Sequence, residues 1–316
     1  MNTKNFWSST LVGAAMALSL AACGGGSGSA VTSTPVATAP LASEPGAPAL
    51  VGNIAIDGRN WINYRRTQAG ISVMSANAAI SVAAQAHSDY QKINDIVSHD
   101  EIVGKIGYTG ANLLERLTAA NYNFDETNAY AYGEVISAAQ STSGAFMAEE
   151  LVTAIYHRFV MFEPKFKEIG TGAATSGAGY SYFTSNFTAN KGYGPGVGKG
   201  AVAIWPFSGQ TNVAPNFFSD YESPDPVATA NEVGYPVSVH GDITAVLAVQ
   251  SFTMRQRGGA DLSVKLLQNS NDIHTPASAM AIIPLAVLKA ATVYDVSFTG
   301  TADGIPVMKT WSFTTR

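Results

Sequence analysis

Two histidines and one glutamate in the first half of the chain are the residues whose types could do chemistry. They are His99, Glu134 and His157. Two imidazoles and one carboxylate form a recognised zinc ligand set that leaves a fourth position open for water. Without metal, a carboxylate beside an imidazole forms an acid–base pair. Because the chain has neither HExxH nor G-x-S-x-G spacing, these residues indicate a polar pocket and specify no nucleophile.

Each of the three residues also has a purely structural interpretation. His99 could be a loop residue that binds backbone groups, and Glu134 could accept hydrogen bonds from loop amides. His157 could cap the C-terminal end of its helix, where a cation is favoured. The residue types alone leave both interpretations open.

The segment that must position these residues, roughly Ile54 to Ile169, has a mostly helical pattern. Asp57 is predicted to cap the first helix, and Asn77 to open an Ala-rich second helix in which His87 is a core histidine. A third helix is predicted around residues 113–117 and a fourth over about 146–159. Strands are predicted over 130–137, 180–187 and 201–205. The pattern indicates an α+β domain with a sheet flanked by helices.

After Pro206 the chain consists of short alternating runs separated by turn residues, which is typical of a β-sandwich. Two segments, Tyr294-x-Val-x-Phe298-x-Gly300-Thr301 and Trp311-x-Phe313-Thr314-Thr315, resemble the closing hairpin of bacterial Ig-like domains. The sequence therefore predicts an all-β Ig-like sandwich here. The histidines of this part, His240 and His274, are predicted to lie on its surface.

Five short motifs follow one another through the helical part. They are Asn63-Tyr64-x-Arg66, Ser98-His99, Gly133-Glu134, His157-Arg158 and Phe166-x-x-Ile169-Gly170-x-Gly172. Their order and spacing over about Ile54 to Phe187 resemble the bacterial branch of the CAP superfamily. This superfamily, also named for its SCP domain, includes cysteine-rich secretory proteins and pathogenesis-related proteins. The resemblance implies a CAP-type α-β-α sandwich.

The resemblance also implies a cavity lined by two histidines and two glutamates, which binds a divalent metal in some family members. His99 and His157 match the two histidines, and Glu134 matches the glutamate of the Gly-Glu motif. No residue matches the second glutamate, because Glu149 and Glu150 fall about one turn too early. A zinc ion held by His99, Glu134 and His157 is thus an expectation.

Three further residues of the motifs are expected to support the same pocket. Asn63 and Arg66 are more simply explained as helix residues that hold neighbouring loops in place. Arg158 is expected to pair with a carboxylate or with a helix end.

The N-terminal segment has the pattern of a lipoprotein export sequence. Lys4 precedes an apolar stretch from Leu11 to Leu20 that is too short to span a bilayer. The residues Leu20-Ala21-Ala22-Cys23 resemble a lipobox, in which the cysteine, here the only one in the chain, is acylated. An ordinary signal peptide ending in small residues is the alternative. Gly24 after the cysteine resembles the sorting pattern for the outer membrane of Gram-negative bacteria.

These observations predict four segments. Residues 1–23 are a lipoprotein signal peptide, and residues 24–49, rich in Gly, Ser, Thr, Ala and Pro, are a flexible tether. Residues 50–204 are the CAP domain and residues 205–316 the Ig-like domain. The predicted location is the cell envelope, with a lipid anchor in the outer membrane. A net charge of −5 without any run of Lys or Arg excludes nucleic acid as a partner.

Two functions follow from this organisation. The favoured one is non-catalytic binding of a small apolar, lipid-like ligand or of an envelope protein in the His/Glu-lined groove. The alternative is a metal-dependent hydrolase acting on envelope peptide or polysaccharide, in which a metal-bound water attacks the substrate. The unmatched second glutamate and the missing nucleophile weaken the hydrolase.

Overall fold

The structure is a computed structural model that describes residues 17–19 and 44–316. Cys23 and most of the predicted signal peptide and tether lie outside the described residues. The five helices are α1 (Ile54–Gln68), α2 (Ala78–Asn94), α3 (Leu113–Ala119), α4 (Gly144–Thr153) and α5 (Ile155–Met161). The first five strands are β1 (Ala17–Ser19), β2 (Ser75–Ala76), β3 (Ala131–Ala139), β4 (Glu168–Thr175) and β5 (Ser181–Ala189).

These five strands form one sheet in the order β1-β3-β5-β4-β2. The three central strands are antiparallel, and the short edge strands β1 and β2 run parallel to β3 and β4. The α2 helix packs on one face against β4 and β5, whereas α1 and α4 pack on the other. The strand β5 is buried along its whole length. The predicted α-β-α sandwich is therefore confirmed.

Two glycines of the Ile169-Gly170-x-Gly172 motif allow α2 to approach the sheet closely. A Cβ atom on Gly170 would overlap the backbone of Ile80 and Ser81, and one on Gly172 would overlap the backbone of Ala84 and Gln85. Since helix backbone cannot move aside as a side chain can, the motif sets the spacing between these two layers.

We therefore expect Gly172→Ala to lower the free energy of unfolding by about 1–3 kcal/mol, the usual effect of overpacking a filled interface. Gly177→Ala is the matched control, because no atom lies within 4 Å of its Cβ position. Urea unfolding of both variants measures the difference. Equal stability of the two would show that the close approach is not needed.

The helix boundaries correct two predictions. The N-cap of α1 is Asn53, whose side chain accepts from Ile56 N–H, while Asp57 lies in the first turn and accepts from Val51 and Gly52 N–H. The predicted fourth helix is two helices, because Ala154 has extended backbone with ψ 119° and separates α4 from α5. The predicted cap of α2 by Asn77 is confirmed.

The rest of the described chain forms antiparallel sheets, as predicted for an all-β region. A four-stranded sheet has the order β11-β12-β9-β6, and a three-stranded sheet the order β10-β13-β14. The strands β7 and β8 form a separate ribbon. The assignment of this all-β region to the Ig-like family stays a prediction. The nine strands are β6 (Ala203–Trp205), β7 (Asn216–Phe218), β8 (Glu232–Gly234), β9 (Val237–His240), β10 (Leu247–Gln256), β11 (Val264–Leu267), β12 (Ala279–Pro284), β13 (Val293–Ala302) and β14 (Ile305–Thr314).

One continuous hydrophobic core joins the α-β-α sandwich to the all-β region. Phe162, at the end of α5, packs edge-on against Trp205 of β6 with ring centroids 5.2 Å apart. Glu163 follows and accepts hydrogen bonds from Lys165 N–H and Ile243 N–H, both at 2.9 Å. The two parts therefore pack against each other through apolar and polar contacts.

Glu163 should make stability depend on pH. Burial raises its pKa from 4.5 to about 8, although the backbone N–H groups of Lys165 and Ile243, followed by Arg66, act in the opposite direction. Between these values the folded state keeps a proton that the unfolded state has lost, so stability falls as pH rises from about 4.5 to 8. We expect Glu163→Gln to remove a slope of up to about 1.4 kcal/mol per pH unit. Urea unfolding at pH 5, 6.5 and 8 measures this slope for the unchanged protein and for the variant. The same dependence of the free energy of unfolding on pH in both would show that Glu163 does not have a raised pKa.

The first described residues after the gap are held against α1. Glu44 forms an ion pair with Arg65, with Oε2 2.6 Å from Nη1, and Pro45 accepts from the Tyr64 hydroxyl. The contacts begin inside the range predicted as tether. Among the residues that the structure describes, no helix is long and apolar enough to cross a bilayer.

Candidate functional site

His99, Glu134 and an arginine that the sequence analysis did not single out form one buried network. His99 Nδ1 lies 2.9 Å from Glu134 Oε1. Arg116 on α3 donates from Nη2 to both carboxylate oxygens at 2.8 Å, and from Nη1 to the His99 carbonyl at 2.7 Å. Arg116 and Glu134 are almost fully buried. The arginine thereby fixes both the carboxylate and the backbone of the histidine that contacts it.

The electrostatics of this network keep the carboxylate ionised. Burial alone would raise the pKa of Glu134, but Arg116, followed by His87 and His99, outweighs burial and lowers it to about 2. Because the folded pKa lies below the unfolded value of 4.5, the stabilisation is complete above that value. It is lost as pH falls from about 4.5 to 2.

Several buried polar atoms around Glu134 have no hydrogen-bond partner. They are His99 Nε2, Arg116 Nε and both side-chain atoms of Asn186. Asn186 on β5 is the register partner of Glu134 on β3, so the two side chains lie on the same face of the sheet. With Nδ1–H donating to the carboxylate, a neutral His99 ring presents Nε2 as an acceptor. The network can therefore receive further hydrogen bonds.

His157 lies in a separate network with Glu222, from the loop after β7. His157 Nδ1 is 2.9 Å from Glu222 Oε1. The same carboxylate accepts from the backbone N–H groups of Ile155, Tyr156 and His157 at 2.7–3.1 Å. The N-cap Ala154 makes no side-chain hydrogen bond, so Glu222 caps α5 from the all-β region. His157 therefore does not cap a helix C-terminus, because the break at Ala154 places it in a first turn.

The three supporting residues bind backbone groups. Asn63 donates to the Met74 carbonyl and accepts from Met74 N–H, both at 2.9 Å. Arg66 donates to the carbonyls of Ser72, Met161 and Glu163, and burial lowers its pKa to about 9. Both hold loops in place, as the structural interpretation expected.

Arg158 joins the end of α4 to the all-β region. It donates to the carbonyls of Val152 and Thr153, which is the expected contact with a helix end, and to the Pro236 carbonyl. Its guanidinium also lies 5.0 Å from the ring centroid of Tyr235. Its contacts are those of an interface residue.

Two other histidines test the burial predictions. His87 is a core histidine as expected, with Nδ1 2.8 Å from Glu101 and Nε2 2.8 Å from the Ser98 carbonyl. The surface prediction for His240 is wrong: the residue is buried between Phe159 and Phe162 and binds Ser238. Burial, followed by Arg158 and Arg66, lowers its pKa well below 6.5. The alternating pattern of β9 gave no indication that helix α5 covers this strand.

The structure thus brings His99 and Glu134 together and pairs His157 with Glu222. The carboxylate of Glu134 accepts from Arg116 through both oxygens, which fixes it in the position where it contacts His99. Within residues 17–19 and 44–316, no three His, Cys, Asp or Glu side chains are grouped to hold an ion. The three-ligand zinc site of His99, Glu134 and His157 stays a prediction.

The order of the motifs and the layers of the sandwich agree with a comparison against protein families. Residues 60–187 match CAP, the cysteine-rich secretory protein family. Residues 60–187 are a CAP domain. The predicted resemblance to the CAP superfamily is therefore confirmed for this part of the chain, whereas the assignment to its bacterial branch stays a prediction. The predicted fold class, a CAP-type sandwich followed by an all-β region, is confirmed as well.

Solved structures similar to the CAP domain come from several organisms. An extracellular protein with an SCP domain from Bacillus anthracis str. Ames is 21% identical with a TM-score of 0.36, and the match covers 42% of this chain and 39% of that one. An outer surface protein of Borrelia burgdorferi is 11% identical with a TM-score of 0.36, and the match covers 42% of this chain and 90% of that one. Venom allergen-like protein 4 of Schistosoma mansoni is 11% identical with a TM-score of 0.31, and the match covers 45% of this chain and 90% of that one. No curated protein matches the chain.

Proposed function

We propose that this protein is a lipoprotein of the cell envelope whose CAP domain binds a lipid-like ligand without turning it over. The lipobox at Cys23 and the following Gly24 support an anchor in the outer membrane. Cleavage before Cys23 would remove the edge strand β1 (Ala17–Ser19), so the sheet of the proposed mature protein has the four strands β3-β5-β4-β2. About 20 residues separate Cys23 from Glu44, where contacts with α1 begin, and a fully extended chain of this length reaches about 70 Å. The CAP domain can therefore contact acyl chains near the anchor.

The observation that carries the proposal is an exposed apolar surface formed by Ile93 at the end of α2 and by Ile102, Val103 and Ile106. Their side chains are 51%, 54%, 75% and 72% exposed. We call these four residues the apolar crest. A group of large aliphatic side chains on one short loop is typical of an interaction site on a soluble surface. Four aliphatic side chains with no aromatic ring among them favour an acyl chain over a protein partner, and the exposed Lys105 lies between Val103 and Ile106.

The backbone under the apolar crest is held in place by hydrogen bonds. Glu101, buried beneath the loop, accepts from Thr109 N–H at 2.6 Å and contacts His87. The Tyr90 hydroxyl accepts from Ile102 N–H, and Asn94 donates to the Ile106 carbonyl, each at 2.9 Å. A surface ordered in this way loses little conformational entropy when it binds a ligand.

His99 begins the same loop, three residues before Ile102. Its Nε2 is buried and has no hydrogen-bond partner, so the polar end of a ligand whose chain covers the apolar crest would satisfy it by inserting beneath the loop. The network of Arg116 and Glu134 holds His99 in position for this contact. The proposed site therefore combines an apolar surface with one polar end.

A fluorescent fatty acid displaced by palmitate tests the proposal, in a Cys23→Ser background that carries no acyl group of its own. We expect the double variant Val103→Asp, Ile106→Asp to weaken binding at least tenfold, because two aliphatic contacts of about 1–2 kcal/mol each are lost. The matched control is Val246→Asp, Met308→Asp, two exposed aliphatic residues of the all-β region.

Equal affinity in the crest variant and the control would refute the lipid-binding site. Retention of an envelope protein by the crest, with no fatty-acid binding, would replace the ligand by a protein partner. Stoichiometric zinc that is lost in both His99→Ala and His157→Ala would support the hydrolase alternative. The three outcomes are distinguishable with the same purified proteins.

A further inference from the structure

We propose that the open pocket between the start of α2 and the end of β5 binds a saccharide that carries a carboxylate. This pocket belongs to neither the His99 network nor the apolar crest. Its volume of about 390 Å³ lies within the range of small-ligand sites, roughly 300–1,000 Å³. The lining residues are Asn77, Tyr122, Lys167, Glu168, Asn190 and Lys191.

One wall of the pocket is a fixed acceptor for hydroxyl groups. Asn77 donates from Nδ2 to Glu168 Oε1 at 2.7 Å, and the Tyr122 hydroxyl donates to Oε2 at 2.6 Å. Each carboxylate oxygen keeps a second lone pair. Glu168 is thus held in one orientation and can still accept hydrogen bonds from sugar hydroxyls.

The opposite charge comes from two lysines. Lys167 donates from Nζ to the Asn190 carbonyl at 2.6 Å, which leaves two further N–H donors. Lys191 is exposed and has left-handed backbone with φ 55°, a conformation that costs a lysine about 1 kcal/mol. Two lysines and one glutamate line the pocket, so its lining carries a net positive charge, which the Asp125 carboxylate near Lys191 partly offsets. This charge complements an anionic group on the ligand.

An aromatic surface adjoins the pocket. The ring of Phe124 lies edge-on to Tyr122, with centroids 5.3 Å apart, and stacks on Tyr130 at 4.8 Å. Phe124 and Tyr130 are half-buried, so part of each ring is accessible. Flat aromatic rings suit the apolar C–H face of a sugar ring. An inorganic anion would gain nothing from them, which favours a saccharide.

Asn190 joins the aromatic surface to the pocket. Its Oδ1 accepts from Asp125 N–H, and its Nδ2 donates to the Asn123 carbonyl, both at 2.9 Å. The loop that carries Phe124 is therefore tied to the strand end that carries the lysines. Polar and aromatic parts are held together before any ligand arrives, which lowers the entropic cost of binding.

Calorimetric titration with two probes tests the proposal on the full chain carrying Cys23→Ser. One probe is a disaccharide containing glucuronate, and the other is the neutral disaccharide with glucose in its place. We expect the neutral sugar to bind at least tenfold more weakly. Lys191→Asn, which tolerates the left-handed backbone and removes the charge, should weaken glucuronate binding at least fivefold. Lys199→Asn, at another exposed lysine, should not change it.

Three results would overturn the proposal. They are equal affinity for both sugars, unchanged glucuronate binding in Lys191→Asn, and tighter binding of an acidic peptide than of glucuronate. Phe124→Ala is a second variant, expected to weaken both sugars while thermal unfolding verifies that it is folded. Fatty-acid binding should be unaffected in all of these variants, which separates this site from the apolar crest.

Discussion

Arg116→Met is expected to lower the free energy of unfolding by about 3–5 kcal/mol, the cost of leaving a buried carboxylate without its cation. Arg116 binds Glu134 through both carboxylate oxygens and also donates to the His99 carbonyl. Methionine fills a similar volume and supplies none of these three hydrogen bonds. Urea unfolding at pH 7 measures the loss, and fatty-acid binding should fall with it because His99 is no longer held.

The control for this prediction is Arg257→Met. Arg257 pairs with Asp295 at 2.6 Å, but on the surface, where such a pair contributes about 0–1 kcal/mol. A double variant Arg116→Met, Glu134→Leu should recover much of the stability, since an apolar pair leaves no buried charge. An effect of Arg116→Met no larger than that of Arg257→Met would show that Glu134 is not ionised in the folded protein.

The layers of the CAP domain could be predicted because their determinants are local. The cap at Asn77 and the helical spacing of the apolar residues of α2 each depend on residues within a few positions. The same locality explains the confirmed burial of His87 on the apolar face of α2. The break at Ala154 could not be predicted, since no Pro or Gly marks it and Glu222 stabilises the new helix end from 68 positions away.

The candidate site could be predicted only in part for the same reason. His99 and Glu134 were identified from motif order, but Arg116 between them lies in an ordinary-looking helix and had no motif. The sequence did contain an indication of its role. Arg116 lies on the same side of α3 as Leu113 and Leu117, and an arginine on the buried side of a helix needs a carboxylate partner. The partner of His157 could not be inferred, because it comes from the other side of the predicted boundary at residues 204–205.

Of the three His–Glu pairs in the described residues, His99–Glu134 and His157–Glu222 have the same local design with different surroundings. In each, a carboxylate faces Nδ1 and leaves Nε2 without a partner. The His99 pair lies inside the CAP domain beside the loop that carries the apolar crest. The His157 pair joins the CAP domain to the all-β region, with Arg158 and Glu163 close by in sequence. We therefore propose a role in binding for the first pair only, whereas the second attaches the all-β region to the CAP domain.

Glu222→Gln is expected to lower the free energy of unfolding by about 2–4 kcal/mol. The carboxylate accepts three backbone N–H groups of α5 and one from His157. An amide has one acceptor oxygen, so its NH2 group would face a buried donor, which costs about 1–3 kcal/mol. Loss of a negative charge at a helix N-terminus adds about 0.3–2 kcal/mol. The control Glu232→Gln alters an exposed carboxylate that only binds Asn216, and should have little effect.

A double-mutant cycle then decides which carboxylate His157 depends on. We expect His157→Ala and Glu222→Gln to couple by more than about 0.5 kcal/mol, whereas His157→Ala and Glu134→Gln should be additive within that value, because groups without contact or shared partners act independently. The reverse result, with coupling to Glu134 and none to Glu222, would restore the three-residue site expected from the family resemblance. Both coupling energies are obtained from unfolding curves, so the cycle needs no ligand. It distinguishes a histidine that joins two parts of the chain from a histidine that completes a pocket.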